Sequence, residues 1–157
     1  MKNTTFPHKQ GLYDPSLESD SCGVGFVVNI DGRKVHTIVE RGIEVLGKLE
    51  HRGATAGDDK TGDGAGILVQ IPDAFFRAKA KALKITLPPE GQFGVGMIFM
   101  PQDEGKRHQC EKIIEQVVSG EGLAFLGWRP VPVWCDALGK KARAEQPFMM
   151  QCFIAGE

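Results

Sequence analysis

Several things this 157-residue chain lacks narrow what it is. No run of about 18 apolar residues is present to span a bilayer, and residues 1–10 hold no apolar core of the kind a secretory signal needs. Neither sign of charge dominates. With 19 Lys and Arg against 20 Asp and Glu, the formal net charge is −1, so electrostatics favours neither nucleic acid nor an anionic membrane surface as a main partner. The four cysteines, at positions 22, 110, 135 and 152, include no closely spaced pair. That argues against a structural zinc site and against a small disulfide framework. Internal repeats and low-complexity tracts are missing as well. The rest is 41% hydrophobic and 25% charged, the composition of a globular chain with enough length for one real core. A cytoplasmic location is expected.

Glycine, by contrast, is plentiful, with 20 residues where an average of about 7% would supply far fewer. Many fall in three motifs: Cys22-Gly23-Val24-Gly25-Phe26, His51-Arg52-Gly53-Ala54 and Thr61-Gly62-Asp63-Gly64-Ala65-Gly66. This order puts a thiol at the head of an apolar segment and an arginine near two flexible loops. A cysteine at the first position of a mature chain carries its own base, because a free α-amino group with a pKa of about 8 can take the thiol proton near neutrality. Residues 1–21 mix polar side chains, a glycine and two prolines without an apolar period, and read as an extended leader.

Periodicity predicts a strand over residues 22–30, with Cys22, Val24, Phe26, Val28 and Ile30 on the core face and Gly23, Gly25, Val27 and Asn29 opposite. Asp31-Gly32 ends it in a turn. An amphipathic helix is expected over residues 36–50, with Ile38, Gly42, Val45, Leu46 and Leu49 inward and Gly53 as its stop. A glycine-rich loop over 53–66 leads to a short strand at 67–71. Asp73 is placed to cap a helix bearing Phe76, Ala80 and Leu83 on one face. A strand at 92–100 ends at Pro101. A helix over 104–119 carries Cys110, Ile113, Ile114, Val117 and Val118 as its buried stripe. Strands at 123–128 and 148–154 follow, the second with Phe148, Met150, Cys152 and Ile154 on a common side. Cys110 and Cys152 therefore belong to the core, while Cys135 in a loop is left open. Phe93, Phe99, Phe125, Trp128 and Phe153 lie within apolar strands, where packing and not base stacking explains them.

The three motifs, with Gly11-Leu12-Tyr13-Asp14-Pro15 ahead of them and Ile67-Leu68-Val69-Gln70-Ile71-Pro72, Phe75-Phe76 and Leu126-Gly127-Trp128-Arg129-Pro130 behind, closely resemble the start of the class II glutamine amidotransferase domain of glutamate synthase large subunits. The resemblance covers nearly the whole chain but only the first part of that domain. It implies a leader at residues 1–21 removed to expose Cys22, and residues 22–157 forming the N-terminal part of an α+β domain. That fold is the four-layer αββα sandwich of N-terminal nucleophile hydrolases, here incomplete. It also implies that Cys22 attacks the side-chain amide of L-glutamine and that Arg52 has a positioning role beside it. No cofactor is implied for this segment, since the flavin (FMN) and iron–sulfur cluster belong to other domains of the family. The implied partners are those remaining synthase domains or another synthase chain.

One departure from the family pattern bears on activity. The family takes its oxyanion donors from a later Asn-Gly pair, and the only asparagines here are Asn3 and Asn29. Losing one such donor typically costs about 10²–10³ in rate, so the isolated chain is expected to be a poor or inactive glutaminase. A non-catalytic module that binds or regulates a synthase partner is the alternative. The Gly62, Gly64, Gly66 loop lacks a Gly-Lys-Ser/Thr ending and does not open a helix after a strand. It is read as allowing close backbone packing, with Asp63 holding it, and not as a phosphate cradle.

Overall fold

The computed structural model describes residues 9, 11, 23–50, 61–62 and 64–156. They divide between two compact units, residues 1–54 and 55–157, each of which has its own internal logic.

In the first unit, helix α1 spans His36–Lys48, close to the predicted range. It has no acidic first turn and no capping side chain, but Lys48 favours its C-terminal end and bonds Glu44 one turn back at 2.6 Å. Ile38, Gly42, Val45, Leu46 and Leu49 are all half-buried, as the apolar stripe requires. The expected turn is present too: Gly32 takes a left-handed φ of 68° and its N–H donates to the Asn29 carbonyl at 2.9 Å. The expected strand is not. Residues 23–29 join no ladder, and the face assigned to the core is open, with Phe26 89% and Ile30 97% exposed. On the opposite side Gly23, Val27 and Asn29 are half-buried, while Gly25 is exposed although it lies close against Val45. Alternation was legible, but which side meets the helix depends on how closely a backbone can approach, and only Gly23 and Gly25 allow that.

The second unit is a three-stranded antiparallel sheet with a helix on each face. Its strands are β1 (Phe93–Met100), β2 (Leu123–Pro130) and β3 (Phe148–Gly156), in the order β1-β3-β2. Helix α2 (Asp73–Ala82) lies on the Phe153 face and α3 (Glu104–Gly120) on the Cys152 face. Phe153 is fully buried and meets Phe76 of α2 edge-on at 5.5 Å, and with Ala80, Leu87 and Phe93 it forms the core. Residues 67–71, expected as a strand, join no ladder. Ile71 alone packs on this core, while Leu68 is fully exposed.

Asp73 is not a cap. It is the first helical residue, behind Pro72, and its Oδ2 accepts from Arg77 Nε at 2.7 Å. Arg77 also donates to the carbonyls of Leu87 and Pro88 at 3.2 and 2.6 Å, which pins the returning chain against α2. Leu83 is the C-cap and stays 43% exposed. Lys84 then adopts φ 58°, and the Lys84 and Ile85 N–H groups bond back to the Lys81 and Ala80 carbonyls, the two-bond closure of a left-handed helix stop.

Helix α3 is capped by Asp103, whose side chain accepts from the Lys106 N–H at 2.8 Å. Its inward stripe is rotated from the expected one. Val118 is buried and Cys110 and Ile114 are half-buried, but Ile113 and Val117 are each 58% exposed. Two polar side chains explain the rotation. Trp128 Nε1 donates to Glu115 at 2.7 Å and the Arg107 guanidinium sits 4.1 Å from the Phe148 ring centre, so both long side chains cover the sheet with their stems. A short helix, α4 (Lys140–Glu145), was not foreseen and precedes β3. Helices and an antiparallel sheet in succession are those of an α+β chain.

Candidate functional site

The residues expected to carry chemistry, Cys22 and Arg52, lie outside the described residues, as do His51 and Asp63. What the structure describes is the scaffold immediately beside two of them. Gly23, the residue after Cys22, lies against the end of α1: a Cβ built on it would stand 3.0 Å from Leu49 Cδ2. Gly25 is tighter, its Cβ position being 2.6 Å from Val45 Cγ1. Val45 and Leu49 are one helical turn apart, about 6 Å along the axis, and two residues of extended chain advance by nearly the same distance. One ridge of α1 therefore rests on both glycines. Arg52 follows Leu49 by three residues.

Most of the glycine-rich loop over 53–66 lies outside the described residues. Among the described residues nothing lies within 4 Å of a Cβ built on Gly64 or Gly66. Sequence alternation missed the true packing glycines, Gly23 and Gly25, because it assigned them to the outer face. Their recurrence at every second position was the available signal.

The remaining cysteines have structural roles. Cys152 is buried, and burial pushes its thiol above the ordinary value. Cys135 is half-buried with its sulfur 3.3 Å from both amide atoms of Gln146, and Cys110 is half-buried on α3. Among the described residues no cluster of three His, Cys, Asp or Glu side chains is placed to hold a metal ion. No described helix is long and apolar enough to cross a membrane. Among the described residues, an open depression of about 730 Å³ lies beside residues 91–96 and 154–156. The described residues that line it carry no titratable side chain.

Comparison with known proteins places the chain in a family. Residues 22–157 match the family model of the class-II glutamine amidotransferases. The chain is 46% identical over 154 residues to the glutamate synthase (NADPH) large chain of Bacillus subtilis, covering 98% of this chain and 10% of that protein. It is 41% identical to the glutamate synthase (NADH) of Saccharomyces cerevisiae, over 92% of this chain and 7% of that protein. It is 40% identical to the ferredoxin-dependent glutamate synthase 2 of Synechocystis, over 87% and 9% respectively. The chain thus spans about a tenth or less of the length of the relatives it matches.

Proposed function

From the premise that this chain belongs to the class-II glutamine amidotransferase family, we propose that it is the glutamine-hydrolysing part of a glutamate synthase, with Cys22 as the nucleophile. The observation that carries this reading is where the family match begins: at Cys22 itself, leaving residues 1–21 outside it. Removal of that leader gives Cys22 an unblocked α-amine. The amine takes the thiol proton, the sulfur attacks the side-chain amide carbon of glutamine, and the same proton leaves with ammonia as the carbon–nitrogen bond breaks. Water then cleaves the thioester, releasing glutamate and restoring the thiol.

Arg52 is the positioning cation beside that sulfur in this reading. The four-layer αββα arrangement belongs to the same proposal, the open Val24, Phe26, Val28 and Ile30 side chains supplying an apolar surface such as a sandwich would cover. No cofactor is assigned to this segment, and FMN and an iron–sulfur cluster are assigned to other synthase domains. The partners are L-glutamine and those domains, which take up the ammonia, and the setting is the cytoplasm.

The absence of any Asn-Gly pair leaves the oxyanion without the donors the family uses, so slow turnover by this chain alone is part of the reading. Intact mass of the purified protein, before and after an electrophilic glutamine analogue, is the test. A chain beginning at Cys22 that gains one label supports the proposal. A chain that retains residues 1–21 and resists label supports a non-catalytic module. Brisk ammonia release by the 157-residue chain contradicts the predicted need for further residues.

A further inference from the structure

We propose that β1 is a self-association edge, which pairs antiparallel with the β1 of a second copy of this chain about a two-fold axis at Met97, joining two three-stranded sheets into one. β1 stands at one margin of its sheet and pairs with β3 in unbroken register from Phe93 to Met100. Edge strands are commonly guarded against further pairing by charge, proline or a bulge. β2, at the opposite margin, has all three: a register break between Phe125 and Gly127, then Arg129 and Pro130. β1 has none of them, its sequence being Phe-Gly-Val-Gly-Met-Ile-Phe-Met. The inference is independent of the role given to Cys22.

The order of residues along the strand selects a second copy as the occupant. Its first half carries Gly94 and Gly96 and its second half Ile98 and Met100, all on the Cys152 face, while Val95, Met97 and Phe99 share the Phe153 face. Residues directly opposite each other in an antiparallel pair lie on one face of the sheet. A two-fold axis at Met97 therefore sets Gly96 of one copy opposite Ile98 of the other, and Gly94 opposite Met100. Small meets large, twice over by symmetry. On the other face Val95 meets Phe99 and Met97 meets its own counterpart, an apolar row throughout. Met97 and Phe99 are 48% and 64% exposed, and the open depression beside Gly94 leaves room for a larger side chain. Helix α3 packs chiefly on β2, the strand farthest from β1. No charge on the strand repels its copy, and a formal net charge of −1 adds little repulsion at longer range. Because the β2 margin is guarded, assembly closes at the dimer instead of continuing into a fibre.

Sedimentation velocity of the full 157-residue chain over a concentration series is the test, with a monomer–dimer equilibrium as the expected result. Met97→Lys sets two ammonium groups against each other on the axis and is expected to raise the dimer dissociation constant by about tenfold, since like charges directly opposite are unfavourable and an apolar pair is lost. Met97→Glu is expected to do the same. An equimolar mixture of the two variants is expected to recover the dimer, a rescue that loss of folding would not permit. Val117→Lys puts the same charge on an exposed apolar position of α3 and is expected to leave the equilibrium as in the parent. A parent chain that stays monomeric at every concentration overturns the proposal. So does a dimer that withstands Met97→Lys, one that Val117→Lys disrupts equally, a mixture that fails to recover, or a species that grows past the dimer.

Discussion

Cys152 on β3 and Gly96 on β1 face each other so closely that a Cβ on Gly96 would stand 2.7 Å from the Cys152 sulfur. The thiol fills the space that the glycine leaves, and neither position can enlarge independently. Gly96→Ala is expected to cost about 1–3 kcal/mol, the usual penalty for overfilling a packed site. The loss is expected to shrink when Cys152→Ala is added. Urea unfolding of the two single variants and the double variant measures this coupling.

The same thiol gives stability a dependence on alkaline pH. Burial raises the Cys152 pKa in the folded chain, so below the ordinary thiol value of about 8.5 both states keep the proton and the pH dependence from this group vanishes. Above it the unfolded chain releases its proton first, and stability falls as pH rises through the folded-state value. The urea midpoint of the parent is expected to drop more between pH 7 and pH 9.5 than that of Cys152→Ala. Equal drops would show that Cys152 does not titrate differently in the two states.

Lys84 holds a left-handed backbone, φ 58°, to end α2. A side chain in that region costs roughly 1–2 kcal/mol, whereas glycine adopts it freely but loses more entropy on folding. Lys84→Gly is therefore expected to stabilise the chain by about 0.5–1 kcal/mol, the difference between those opposing effects. A lower denaturation midpoint in Lys84→Gly would contradict this account of the helix stop.

Arg129 is only 8% exposed, donates to Gln151 Oε1 at 2.6 Å and lies 5.6 Å from the Phe75 ring centre. The described groups that hold this buried cation are a neutral amide and an aromatic face. Gln151→Leu is expected to cost about 1.5–3 kcal/mol, as for a lost hydrogen bond to a charged group. Arg129→Met/Gln151→Leu is expected to recover most of it, since no buried donor then lacks an acceptor. Thermal unfolding of these two variants beside the parent decides the matter, and no recovery in the double variant would assign the cost to packing.

Sequence alone determined the class of chain and most of its elements. The 3.6-residue stripe of α1, the apolar run before Pro101, the positions of α2 and α3 and the strands on either side of Trp128 and Cys152 follow from local pattern, and local pattern depends only on neighbouring residues. The three ordered motifs also carried the resemblance to the class II glutamine amidotransferases that the family match shows. Tertiary structure decided what neighbours cannot: which face of 23–29 meets α1, how far α3 turns to bring Glu115 to Trp128, and that residues 67–71 pair with nothing among the described residues. Each of these is a question of fit between surfaces distant in the chain. A glycine's lack of bulk, or a glutamate's reach to an indole N–H, has no periodic signature, and only the packed partner reveals which side it serves.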